Sequence, residues 1–399
     1  MTIETDVLIV GGGIAGASAA YHLALLGHRI VLLERGEVAS GASGVNGGLI
    51  DSTGWGQTRD LHAHLTAGSL EIFETVQQDL GEDIELRRSA ALQAIHTPEQ
   101  HDFVRERVAA LRARGHAVEL LTIREARHVE PGISPALLGA MYSPLRSQAD
   151  PARATRAFAT LAERQGARVL TQHEVTALAP RAAGGYVART TSGDVVAGSL
   201  VIAAGAWCGP IGAMLDLDVP IVPVRGQMWA TTPQPPRVFQ TIAAAQSALH
   251  WHGEPGDEPP NLTLRDGRRV TRHLYGRQRR NGEIVFGGDR ELVGFHTTPD
   301  PTGIEDNRAH AIEVLPFLAE LPIARTWAGL MPFPLDGKPL IGRIPNRERL
   351  WIVSGLASSG FGRVPMAGKL LAESLHAGAP LPLLAEADPA GRVRDRANG

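Results

Sequence analysis

The sequence predicts an α/β fold: a Rossmann-like nucleotide-binding domain on a parallel sheet, interrupted by a strand-rich excursion. Three observations predict it. The first thirty-five residues read as strand, glycine turn, helix, strand and acid. Residues 350–377 repeat the strand, glycine turn and helix. Between them lie many short apolar runs punctuated by turn residues, the pattern of a strand-rich region. The length of 399 residues allows two domains, at about 150 residues each.

The N-terminal unit is the most specific. Val7-Leu8-Ile9-Val10 is an apolar run, and Gly11-Gly12-Gly13-Ile14-Ala15-Gly16 follows at once. Ala17 to Gly27 reads as a helix, Ile30 to Leu33 as a second strand, and Glu34 ends it. Gly11 permits a tight turn, Gly13 lets the backbone approach a pyrophosphate, and Gly16 lets helix pack on strand. The helix N-terminus offers N–H groups and partial positive charge to the phosphates. A carboxylate at Glu34 accepts from a ribose diol and repels the extra phosphate of NADP.

Ser40 to Leu49 is rich in glycine and small residues, and predicts a backbone lying along a flat ligand. Helices are predicted at 65–80, 98–114, 123–129 and, from the Asp150-Pro151 start, to Gln165. Strands are predicted at 85–96, 168–170 and 174–178, with a hairpin at 186–196; Gly139 to Tyr142 leads to a turn. Leu200 to Ala203 is an apolar strand ending in Ala204-Gly205, so the nucleotide-binding domain resumes near residue 145. Residues 219–232 are strand-like, and Gly253 to Pro260 is a loop, either a lid or an exposed linker. Arg279-Arg280-Asn281-Gly282 joins two strands in a hairpin. A helix follows at 304–318, then the strand Leu350 to Ser354, the small-residue turn Gly355 to Gly362 and the helix Val364 to Ala377, whose N-terminus could face developing negative charge. Asp388 to Gly399 is predicted to be disordered.

Composition excludes several classes. A net charge of −3 gives no reason for nucleic acid or an anionic membrane as partner. Cys208 is the one cysteine, which rules out intramolecular disulfides and cysteine metal clusters. No apolar run is long enough for a transmembrane span. The first strand starts near Asp6 and leaves no room for a signal peptide, so a cytoplasmic protein is expected. His62 with His64, and His250 with His252, alternate without nearby acidic or cysteine partners, so no metal site is expected. The oligomeric state stays open.

Taken together and in order, these motifs resemble the glycine oxidase and D-amino acid oxidase family of FAD-dependent oxidoreductases, with sarcosine oxidases more distant. The stretches that carry the resemblance are the fingerprint with Glu34, Ser40 to Leu49, Gly139 to Tyr142 before Asp150-Pro151, Ala203 to Trp207 and Pro223 to Met228. Gly287-Gly288, Trp327-Ala328-Gly329 with Asp336 to Pro339, and Gly355 to Gly362 complete them. The resemblance implies an FAD domain from 1–85, 144–216 and 322–385, an α+β substrate domain with a mixed or antiparallel sheet from 86–143 and 217–321, and a tail at 386–399. It implies oxidation of an amine or amino acid at the carbon bearing nitrogen, with the hydride passing to the flavin and the imine hydrolysing to an oxo product. The cofactor carries that chemistry, so no catalytic acid or base is assigned.

Residue by residue, the resemblance gives Gly11, Gly13, Gly16 and Glu34 contacts to the AMP half, with Ile14, Ala15 and Arg35 beside them. Ser43, Asn46, Gly47, Gly48 and Leu49 run along the flavin, and Val175 meets the adenosine side. Ala204, Gly205 and Trp207 approach the same dinucleotide. Ser358, Ser359, Gly360, Phe361 and Gly362 lie beside the flavin pyrimidine. Relatives with covalent flavin carry His or Cys where this chain has Asn46 and Gly329, which implies noncovalent FAD. Glycine oxidase-like proteins place an Arg after Trp-x-Gly-Leu to grip the substrate carboxylate, and this chain has Met331 there. Tyr275 matches a substrate-facing tyrosine. Arg277 shares its strand face and, with Arg363, is a candidate replacement clamp; a solvated hairpin arginine is the competing reading. His250 and His252 are candidates for the substrate cavity. Neither of the two lysines, Lys338 and Lys369, matches an oxygen-activating position, which leans towards a quinone or a partner protein as electron acceptor. Alternative readings are an FAD-bearing subunit of a larger dehydrogenase and a noncatalytic FAD-binding protein.

Overall fold

A computed structural model describes residues 2–50, 59–246, 263–265, 268–271 and 273–396. The N-terminal unit forms as its sequence dictates. Strand Ile3–Val10 buries its last four residues, helix Ile14–Leu25 follows, and strand Ile30–Leu33 is buried throughout. Val10 pairs in parallel with Leu33 on one side and with Ile202 of strand Gly193–Ile202 on the other. Ile202 in turn pairs in parallel with Ile352 of strand Leu350–Ser354. Arg168–Leu170 adds a parallel strand beyond Ile30–Leu33, and Leu340–Arg343 an antiparallel one beyond Leu350–Ser354. Helices Ile14–Leu25, Arg59–Gln78, Pro151–Arg164 and Val364–Ala377 cover one face of this sheet, where Leu23, Phe73, Phe158 and Leu371 are fully buried in one apolar cluster. A second cluster around Leu8, Leu200 and Ile352 fills the other face, beneath strands Val175–Pro180 and Tyr186–Thr190.

Among the described residues the second sheet has twelve strands. Its centre is Ile221–Thr231, which pairs antiparallel with Ile323–Pro334 along nearly its whole length and with Ile284–Gly287 on the other side. Tyr275–Gln278, Thr241–Ala244 and Arg87–Ile95 continue it to Gly139–Gln148. Helix Pro301–Val314 packs on this sheet around Trp229 and Phe286.

Several expectations change here. The turn expected after Tyr142 is absent: Gly139–Gln148 is one strand, and a register shift opposite Ser89–Ala91 accommodates Pro144. Leu49–Ile50 pairs with Ser147–Gln148 in the same sheet. The expected domain breaks at 143/144 and 321/322 therefore meet this sheet, the first inside Gly139–Gln148 and the second just before Ile323–Pro334. The hairpin strand and the Leu200 strand are one ten-residue strand, Gly193–Ile202. The helix expected at 304–318 is Pro301–Val314 followed by a 3-10 turn, Pro316–Glu320. The C-terminal segment is ordered to Arg396, not disordered. Leu217–Asp218 pairs with Arg394–Asp395, Val393 is buried, and Arg392 donates to the Lys338 and Pro339 carbonyls. The lid or linker expected at Gly253 to Pro260 lies outside the described residues. Among the described residues no helix is long and apolar enough to cross a membrane.

Candidate cofactor and active site

Parallel pairing puts the C-terminal ends of four strands at one edge of the first sheet. The turns leaving them are Gly11–Gly13, Glu34–Gly36, Ala203–Gly205 and Gly355–Gly362, so residues more than 300 positions apart in sequence line one crevice. Gly11 has φ +118°, and a Cβ there would stand 2.5 Å from the Ala203 carbonyl oxygen; only glycine fits this close crossing. The first intrahelical bond of Ile14–Leu25 runs from Ala17 N–H to Gly13 O. The N–H groups of Ala15 and Gly16 therefore leave the helix end without an intrahelical acceptor. Ile14 N–H donates to Ser43 Oγ at 3.0 Å, which gives Ser43 a capping role.

Glu34 is fixed by two donors. Gly12 N–H meets Oε2 at 2.7 Å and Gly36 N–H meets Oε1 at 2.8 Å. A carboxylate has about four lone-pair sites, so acceptor capacity remains for hydroxyls. The chain at 170–173 runs beside Glu34 through Glu34 N–H to Leu170 O and His173 N–H to Glu34 O, and leads to Val175 near this rim. Arg35 lies over the Trp207 ring at 4.1 Å, and Phe295 lies 5.5 Å from the same ring.

The Asn46–Gly48 turn joins the two sheets. Asn46 Nδ2 donates to the Ala42 carbonyl at 3.0 Å, and its Oδ1 accepts from Gly48 N–H at 2.8 Å. Tyr275 O–H donates to the Gly47 carbonyl at 2.8 Å, and its ring lies so close that a Cβ on Gly47 would stand 1.8 Å from Cε1. Trp327 Nε1–H donates to Val45 O at 2.8 Å, and Gly329 packs on Val45. Leu49 carries the turn into the second sheet.

Arg277 is corrected from a substrate clamp to a structural pin. It is 1% exposed. Its Nε donates to Gly47 O at 2.7 Å, Nη1 to Gln148 Oε1 at 2.7 Å and Nη2 to Ala149 O at 3.1 Å. Burial holds its pKa below the usual guanidinium range and lifts the Tyr275 phenol above its own. It is not the solvated hairpin arginine either. Met331 lies against Gly226, with its methyl 3.0 Å from the position of a Cβ there, beside an apolar cluster of Val224, Phe333 and Ala357.

The closing turn also differs from expectation. The Phe361 ring turns inward onto Phe73, 5.2 Å away, leaving only its backbone for the crevice side. Ser358, Ser359 and Gly360 are partly exposed. The helix Val364–Ala377 does not present free donors: Val364 N–H bonds Gly360 O, Met366 N–H bonds Ser69 Oγ, and Pro365 has none. The charge at that end belongs to Arg363, which is fully buried with its pKa lowered by burial to about 9. His62 faces it, also buried, and desolvation with the nearby Arg363 charge lowers its pKa to about 3. His250 and His252 lie outside the described residues.

Reading by motif missed Gln148, the tie from Trp327 to Val45 and the place of His62 beside Arg363. His62 has a signal: with Thr66, Ser69, Phe73 and Val76 it repeats at helical spacing on the buried face of Arg59–Gln78. Gln148 has none, since its partner Arg277 comes from a distant strand, and nothing in the Trp327-Ala328-Gly329 motif names the distant Val45 carbonyl that Trp327 bonds.

A glycine turn beside free helix-end donors, a fixed carboxylate at the second strand and a second sheet meeting the Gly47 turn define a dinucleotide-binding redox protein with a covering domain. The chain belongs to the FAD dependent oxidoreductase (DAO) family, whose model matches residues 6–374. FAD is its cofactor, and the residues fit it: the Ala15 and Gly16 donors suit a pyrophosphate, and the remaining acceptor sites of Glu34 suit a ribose diol. The chain is 30% identical to glycine oxidase of Pseudomonas aeruginosa over 391 residues, covering 97% of this chain and 99% of that one. It is 27% identical to glycine oxidase of Geobacillus kaustophilus, covering 94% and 93%. The crystal structure of glycine oxidase from Geobacillus kaustophilus superposes with a TM-score of 0.83 at 25% identity, covering 97% of this chain and 98% of that one. L-proline dehydrogenase from P. horikoshii shares the fold at a TM-score of 0.82 and 24% identity, covering 98% of each chain.

Proposed function

We propose that this chain oxidises the C–N bond of a small amine or amino acid to an imine, which hydrolyses to an oxo product and ammonia or an amine. Bound FAD supplies the hydride acceptor. The likeness to a glycine oxidase along 97% of the chain is the observation that carries this reading. The protein binds and orients. Donors at Ala15 and Gly16 and the Glu34 carboxylate hold the adenosine half. Ser43, Asn46 and Arg277 fix the Gly47–Gly48 turn, and Tyr275 lies over it. No side chain is assigned as acid or base.

The substrate meets an apolar surface at Met331, not a guanidinium. Arg277 is held by protein acceptors, and Arg363 is fully buried. Together these support an amine that turns an apolar group towards the strand Ile323–Pro334. Electrons leave to a quinone or partner protein. Lys338 sits in the turn Asp336–Lys338, with its carbonyl bonded to Arg392, and Lys369 lies 4.0 Å from Glu373 on the last helix. An anaerobic visible spectrum of the FAD-loaded protein tests this. Bleaching by amines without a carboxylate, followed by slow recolouring in air and fast recolouring with a quinone, is expected. Bleaching by amino acids alone overturns the substrate reading. Rapid recolouring in air overturns the acceptor reading.

A further inference from the structure

His96, His310 and Glu313 meet on the second sheet although they are far apart in sequence. His96 directly follows strand Arg87–Ile95. Its N–H donates to Gln100 Oε1 at 2.8 Å, and the neighbouring Ile95 carbonyl accepts from Leu138 N–H at 2.9 Å, so this backbone is fixed. His310 and Glu313 are three residues apart on helix Pro301–Val314 and share a face. The helix is itself anchored one turn earlier, where Trp229 Nε1–H donates to Asn307 Oδ1 at 2.9 Å.

One ligand atom from each of the three residues lies within 4.8 Å of the others. His96 Nε2 and Glu313 Oε2 are 3.8 Å apart. That is too long for a hydrogen bond. It is near the separation of about 3.4 Å that two ligands keep on one tetrahedral ion with bonds of about 2.1 Å. The His96 and His310 rings are 5.6 Å apart and tilted by 51°, so they are not stacked face to face. His310 is buried, His96 partly so, and Glu313 exposed, which anchors the site from inside and opens it to solvent on the carboxylate side.

We propose that His96, His310 and Glu313 bind one divalent cation of the zinc class, with water in the remaining position. Two imidazoles and one carboxylate suit zinc and the later first-row metals, and are a poor set for calcium or magnesium. The ion ties the end of Arg87–Ile95 to helix Pro301–Val314. The proposal does not depend on the flavin chemistry, because none of the three residues belongs to the crevice turns.

The test is metal uptake by untagged, FAD-loaded protein after chelation. Dialysis against Zn²⁺ with elemental analysis is expected to give one zinc per chain. His96→Gln and Glu313→Gln should weaken binding at least tenfold while keeping the flavin absorbance that reports an intact fold. Zn²⁺ should raise the thermal midpoint of the unsubstituted protein and not of these two variants. The exposed pair His28 and His376, with ring nitrogens 3.1 Å apart, is the control: His28→Gln should bind zinc normally. No stoichiometric uptake, uptake unchanged in both site variants, or loss in His28→Gln alone overturns the proposal.

Discussion

Arg277 shows how one residue's role depends on where its donors point. A guanidinium two positions from a substrate-facing tyrosine looks like a carboxylate clamp. In the fold its donors close on Gly47, Gln148 and Ala149, tying the Gly47 turn to the end of Gly139–Gln148. Arg277→Met should therefore lower stability by roughly 3 kcal/mol, the scale of charge-assisted bonds lost in a buried site. Urea unfolding measures this, and flavin fluorescence titration should show weaker FAD binding as the turn loosens. A tenfold rise in KM for a carboxylated amine at unchanged stability would return Arg277 to the substrate site. Glu34 is the opposite case. Its place at the end of the second strand was legible, because a strand, a glycine turn and a helix leave its carboxylate one direction to face. Its two protein donors, Gly12 and Gly36, are local enough to agree with that reading.

At the scale of elements, local chemistry set four helix starts among the described residues. Thr97, Asp150 and Asp300 each accept an N–H from the first turn, and Thr122 with Glu125 forms a full capping box. Glu130 does something less visible at the end of Ile123–Val129. Its Oε2 accepts from Phe239 and Gln240 N–H, joining that helix to the approach to strand Thr241–Ala244. Burial pushes its carboxyl up to about 7, against the pull of those two donors. Its folded pKa lies above the ordinary value of 4.5. Its contribution to stability is therefore complete below that value and lost as pH rises through about 7, a change on the order of 3 kcal/mol. Glu130→Gln keeps an acceptor without the charge. Urea midpoints at pH 5 and pH 8 should converge in this variant relative to the parent; an unchanged gap would mean Glu130 does not titrate in that range. Strand Ile323–Pro334 was not legible, since Arg325, Thr326, Pro332 and Pro334 break any alternation. Its order comes from eleven pairings with Ile221–Thr231.

For the whole molecule, the last described residues lock the first sheet from outside. The Arg392 guanidinium bonds Asp336 as well as the Lys338 and Pro339 carbonyls, and Arg347 pairs with Asp395. Removing residues 388–399 should cost about 2 kcal/mol and lower the thermal midpoint by a few degrees. Calorimetry of the truncated protein checks this, and an unchanged midpoint would restore the disordered reading. The sequence by itself determined the nucleotide-binding unit, most helices and the family, because glycine turns, caps and apolar periodicity act over a few residues. Tertiary structure decided the rest: the four turns at one sheet edge, the inward turn of Phe361, the pinning of Arg277 and the meeting of His96 with His310 and Glu313. Each is a contact between segments far apart in the chain, and short-range pattern carries no record of which distant strand will supply the partner.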